Sequence, residues 1–87
     1  MTLEKLRENI ATWKVPESLY SINDGLKPNA YVLLENYDKW EFFYLDEKGS
    51  RINYNLFSEK NIAFEYLWNK LFLEMQYPPS IPPESVY

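Results

Sequence analysis

Between Ala30 and Leu56 the chain is a succession of strand-like stretches separated by short polar breaks, and this limits the folds open to it. Tyr31-Val32-Leu33-Leu34, within Ala30–Glu35, is too continuously apolar for a strand with one wet face. It predicts a central strand covered on both faces, or nearly so. Asn36-Tyr37-Asp38-Lys39 then makes a hairpin connection. In the next strand, Trp40–Asp46, period-two alternation puts Trp40, Phe42 and Tyr44 on one face and Glu41, Phe43 and Leu45 on the other. A second hairpin loop, Asp46-Glu47-Lys48-Gly49-Ser50, has Gly49 for its positive-φ position. Arg51–Leu56 alternates again, with Ile52, Tyr54 and Leu56 on one side, as an edge strand with one wet face. Upstream, Ser18–Ile22 reads as a short strand closed by the turn Asn23-Asp24-Gly25. That turn does not open a calcium loop, because Tyr20 and Tyr31 would fall where such a loop needs oxygen ligands.

Helical periodicity flanks this meander. Leu3, Leu6, Ile10 and Trp13 recur at helical spacing from Thr2 to about Trp13, with Thr2 as N-cap and Glu4 in the first turn. Trp13 is expected to anchor this helix on the core, and Val15-Pro16 to stop it. A longer helix is predicted from Ser58, its cap, to about Met75, with Phe57 and Ile62 at the spacing of a hydrophobic staple. Its core stripe is Ala63, Phe64, Leu67, Trp68, Leu71 and Met75, while Ile62, Tyr66 and Leu73 fall on a second side. The order predicts an α+β fold. An antiparallel sheet of three or four strands carries an N-terminal and a long C-terminal helix, with Leu33, Phe43, Phe64, Leu67 and Leu71 in the core. Residues 1–76 form one domain, and 77–87, with Pro78, Pro79, Pro82 and Pro83, an extended polyproline-like tail.

A chain of 87 residues buries a modest share of its surface, so its core must be dense. Aromatics supply that density at 18% of the sequence. The same composition removes whole classes of chemistry. With no Cys there is no disulfide framework, which fits a reducing cytosol, and with no His the usual zinc sites and imidazole catalysis disappear. Two distant glycines cannot build a phosphate loop or a dinucleotide fingerprint. Glu35 and Glu41, on neighbouring strands, are the carboxylates placed to approach one another, and two solvated groups are the favoured reading. The expectation is a protein without catalytic residues, metal or cofactor. No apolar run approaches membrane-spanning length and the N-terminus lacks the pattern of a signal peptide, so a soluble cytoplasmic protein is expected.

Charge is distributed unevenly. The net charge is −4, the wrong sign for direct binding to nucleic acid. Residues 15–48 carry seven acids against three bases, so the deficit belongs to the strands and their turns. Tyr37, Trp40 and Tyr44 lie among those acids. Such a surface suits a basic protein partner, since acids steer association and aromatic rings give rigid contact area. A soluble sheet edge protected by charge would show the same pattern.

Several stretches resemble one known class. These are Tyr20-Ser21-Ile22, Gly25, Ala30-Tyr31-Val32-Leu33, Trp40-Glu41-Phe42-Phe43-Tyr44, Glu47-Lys48-Gly49, Phe57-Ser58-Glu59 and Ala63-Phe64-Glu65-Tyr66-Leu67. Together they resemble the small immunity proteins of bacterial polymorphic-toxin and contact-dependent growth inhibition systems. Lys48 stands where such proteins more often have Arg, and Phe64 where a Cys is common. The resemblance implies an α+β protein that binds a cognate toxin C-terminal domain, often a nuclease, and blocks it. It supplies no fixed binding residues. The acidic, aromatic strand-and-turn region supplies them instead: Tyr37, Asp38, Trp40, Glu41, Asp46 and Glu47, with carboxylates lying where substrate phosphates would lie. The alternative is a small regulatory or accessory module that homo-oligomerises through its long helix, using Ile62, Tyr66 and Leu73.

Overall fold

The computed structural model describes residues 1–76 as α1 (Leu3–Thr12), a 3₁₀ turn (Glu17–Leu19), β1 (Tyr20–Ile22), β2 (Ala30–Asn36), β3 (Lys39–Leu45), β4 (Arg51–Phe57) and α2 (Lys60–Gln76). The proline-rich stretch at 77–87, expected to be extended, lies outside the described residues. Thr2 caps α1 as its position predicts: its Oγ1 accepts from the Lys5 amide at 3.1 Å, satisfying one of the orphan donors of the first turn. Ser58 does not cap α2. Its hydroxyl accepts from Lys39 Nζ at 3.0 Å, and the Ala63 amide reaches the Glu59 carbonyl, so the helix begins one residue later than expected. Phe57 correspondingly packs on Tyr66, with ring centroids 5.2 Å apart, and leaves Ile62 half exposed.

The four strands stand in the order β1-β2-β3-β4. β2–β3 and β3–β4 are the expected antiparallel hairpins, with Val32 opposite Phe43 and Leu34 opposite Glu41. β1 departs from the expectation and runs parallel to β2, Tyr20 beside Tyr31 and Ile22 beside Leu33. Left-handed backbone at both ends of the connection, Asn23 and Gly25 first and Asn29 last, turns the chain twice and restores its direction. Buried Ser21 ties the connection down by donating to the Gly25 carbonyl at 2.8 Å, and Lys27 Nζ donates to the carbonyls of Glu17 and Tyr20.

Both helices lie on one face of the sheet. Leu6 and Ile10 of α1, with Ala63, Phe64, Leu67 and Leu71 of α2, pack on Ile22, Leu33, Trp40 and Phe42. The five residues expected in the core are all buried, but Phe43 belongs to a second cluster on the opposite face, with Val32, Leu45 and the flanking Leu34. Trp13 does not sink into the core. It is half exposed and meets Phe72 edge-on at 5.1 Å. Thr2 and Leu3 share a cleft with Lys60, Asn61 and Phe64 at the other end, so α1 and α2 run in the same direction. No helix among the described residues is long and apolar enough to cross a membrane.

Candidate functional site

An antiparallel sheet covered by helices on one side usually turns polar side chains to water on the other. Here the helix-free side is apolar at its centre, with Glu41 and Arg51 flanking it. Strand register sets its rows: Leu34, Glu41 and Leu56; then Val32 and Phe43 with Tyr54; then Ala30, Leu45 and Arg51. Val32, Phe43 and Leu45 are buried among these neighbours, whereas Tyr54 and Leu56 are 48% and 54% exposed. Arg51 lays its guanidinium over the Phe43 ring at 4.6 Å, and Tyr54 stacks on that ring from the neighbouring strand. A slip in register between β3 and β4 creates this row. Asn53 takes φ of +56°, opposite the break between Phe42 and Tyr44, and the extra residue is a bulge. Alternation therefore fails within β4. Ile52 faces the helix side beside Tyr31 and Tyr44, while Tyr54 and Leu56 face away, correcting the expectation that all three share a face.

Glu41 sits between Leu34 and Leu56 on the apolar face. Its carboxylate accepts from Tyr54 Oη at 2.9 Å and from Asn36 Nδ2 at 3.0 Å. The hydrogen bond to the carboxylate raises the Tyr54 pKa, with desolvation and the negative charge of Glu41 adding to it. Tyr31 is also raised, mainly by burial and then by the charge of Glu74. Both phenols are expected to ionise above the usual value near 10 in a spectrophotometric titration, and Glu41→Gln to return Tyr54 toward it. A raised folded-state pKa keeps the proton on Tyr31 after the unfolded chain has lost its own. That contribution to stability is complete below pH ~10 and is lost as pH rises through the folded value. If all accessible tyrosines of the native protein titrate together at the ordinary value, both assignments fail.

The β2–β3 hairpin projects beyond this face. Tyr37, the first residue of its two-residue turn, is 94% exposed and held at φ +60°, a place usually given to glycine. Neither packing nor local preference explains a tyrosine there. Tyr37→Gly is expected to leave the stability unchanged or to raise it by up to about 1 kcal/mol, because relief of the left-handed backbone offsets the extra chain entropy. A loss above ~1 kcal/mol in denaturant unfolding would show instead that the ring supports the fold.

The six residues expected to form one contact surface do not come together. Tyr37, Asp38 and Glu41 share the hairpin end of the sheet, where exposed Glu35 and Asp24 add negative charge. Trp40 is buried at 6% exposure with its ring edge-on to Phe64, so it anchors the helix layer and meets the surface only in the cleft it shares with Thr2 and Leu3. Asp46 and Glu47 lie at the opposite end of β3, about 20 Å away for a seven-residue strand. Asp46 is engaged in its own loop, accepting from the amides of Lys48 and Ser50, while Lys48 and Arg51 balance the charge at that end. Tyr54 and Leu56 are the additions that alternation alone missed, because the bulge is invisible to period-two reading. Glu35 and Glu41 do not approach each other, since their cross-strand partners Trp40 and Leu34 put them on opposite faces. Among the described residues no group of three or more acids is placed to hold a metal ion. Compared with family models, curated proteins and solved structures, the chain matches none.

Proposed function

We propose that this chain is a binding protein of the immunity type, which occupies and neutralises a cognate bacterial toxin domain, most naturally a nuclease. The observation that carries the reading is the helix-free face of the sheet, apolar along Leu34, Tyr54 and Leu56 where a solvated face would be polar. Tyr37 and Asp38 form the exposed turn at one end of it, with Glu41 on the face itself. A toxin acting on nucleic acid needs a basic cleft for its substrate. Asp38 and Glu41 supply carboxylates for such a cleft, while Tyr37, Tyr54 and Leu56 supply rigid apolar area beside them. Inhibition of this kind asks nothing of the inhibitor's own chemistry, which fits a sequence lacking both His and Cys.

The test begins at the gene immediately upstream: a large secreted protein with a variable C-terminal domain supports the reading, and that domain is then co-expressed with this chain. Restored growth together with a co-purifying complex supports the reading. Failure of both, with the two proteins folded, overturns it. Self-association through α2 is the rival, favoured by the half-exposed Ile62 and Leu73 on that helix. Sedimentation at micromolar concentration separates the two: a dimer abolished by Ile62→Lys with Leu73→Lys supports the rival, and a monomer the inhibitor.

A further inference from the structure

A second site lies on the helix side, at the end of the sheet far from the Tyr37 hairpin. A cleft of about 270 Å³ opens there between the last turns of α2 and the strands. Tyr31 forms its floor and stacks on the buried Phe42 ring, the two planes inclined by 17° with centroids 5.8 Å apart. Tyr44 stands across this floor at 68° to Tyr31, with centroids 5.2 Å apart, as a wall. Glu74 closes the other side, and its Oε2 receives from Tyr31 Oη a hydrogen bond of 3.5 Å, at the outer limit of such contacts. The ion pair Lys5–Glu8 is the only one among the described residues, so Glu74 has no ion-pair partner there. Lys70, one turn earlier and also at the cleft, holds its ammonium over the Tyr66 ring instead, 5.4 Å from the centroid.

We infer that this cleft is a receptor for a guanidinium group, stacked on the Tyr31 ring and bonded to the carboxylate of Glu74. Ring faces attract cations, and a planar guanidinium also stacks flat on them, as a tetrahedral ammonium does not. Its fork of N–H donors matches a carboxylate, leaving others to reach polar groups at the rim such as Asn53. Floor and wall are aromatic and the carboxylate makes no ion pair among the described residues, so ring faces and charge complement the same ligand. The cleft also has room for a short alkyl stem. Two sources carry this group, a free small guanidine and the arginine side chain of another chain. The inference does not depend on the toxin-binding reading, which uses the opposite face of the sheet.

The test follows tyrosine and phenylalanine ring resonances of the full chain by two-dimensional NMR. Ethylguanidinium chloride is titrated against ethylurea, its uncharged counterpart, and against the peptide acetyl-Gly-Arg-Gly-amide. Saturable shifts at Tyr31, Phe42 and Tyr44 are expected with ethylguanidinium but not with ethylurea. Glu74→Gln is expected to weaken binding by about tenfold or more, the worth of a charge-assisted hydrogen bond. Lys70→Gln removes a competing cation and is expected to leave binding as tight or tighter. Peptide binding at least tenfold tighter than ethylguanidinium identifies an arginine side chain as the ligand, and equal or weaker binding a free guanidine. Absent or non-saturating shifts, equal response to ethylurea, or full binding in folded Glu74→Gln overturns the site.

Discussion

Reversing the charge at the hairpin end, Asp38→Lys with Glu41→Lys, is expected to abolish protection of toxin-expressing cells and slow association with the toxin domain by about tenfold or more. Both carboxylates sit beside the apolar face, where a basic cleft would meet two cations instead of two anions. The loss should shrink as salt rises, because screening weakens the repulsion along with the original attraction. Tyr37→Ala separates the aromatic contribution from the ionic one. Truncating a ring that fills a pocket on the partner costs roughly 2 kcal/mol or more and appears chiefly as faster dissociation. Asp46→Lys with Glu47→Lys is the internal control: the structure places that loop at the far end of the sheet, so protection should survive it. Thermal melts of each variant decide whether a loss reflects the interface, since Glu41→Lys also removes the acceptor of Tyr54 Oη. If the hairpin variant protects as well as the parent and binding ignores salt, phosphate mimicry at this surface is finished.

Leu67→Ala is expected to destabilise the fold by about 2–5 kcal/mol, measured by denaturant unfolding with an unchanged slope. Leu67 is fully buried on α2, inside the cluster joining both helices to Leu33, Trp40 and Phe42. Removing its branched end loses apolar burial and leaves a cavity in the cluster that also holds the rings of Trp40, Phe42 and Phe64. For a domain this small, that is a large fraction of a total stability that is usually about 5–15 kcal/mol. A change below ~0.5 kcal/mol would contradict the observed burial. Ile62→Ala, on the half-exposed side of the same helix, should cost far less, and the contrast measures which side of α2 carries the fold.

The local pattern was enough to specify both helices, the β2–β3–β4 meander and the helix-side core. Each of these is a statement about neighbours along the chain. Thr2 caps because a hydroxyl at that spacing reaches a first-turn amide, and Trp40, Phe42 and Glu41, Phe43 part to opposite faces because a strand alternates. What tertiary structure decided concerns residues whose partners lie far away in sequence. The parallel pairing of β1 rests on its ladder with β2, set by three left-handed residues that no hairpin signal announces. The bulge at Asn53 moves Ile52 to one face and Tyr54 to the other, a one-residue offset that inverts every assignment beyond it. Trp40 reads equally well as a surface ring or a core anchor until Phe64 closes over it. Acidic character was visible as a count over residues 15–48. Only the roughly 20 Å run of β3 shows that Asp38 and Asp46 stand at opposite ends of the sheet, because position in space depends on strand length and direction, which composition does not carry.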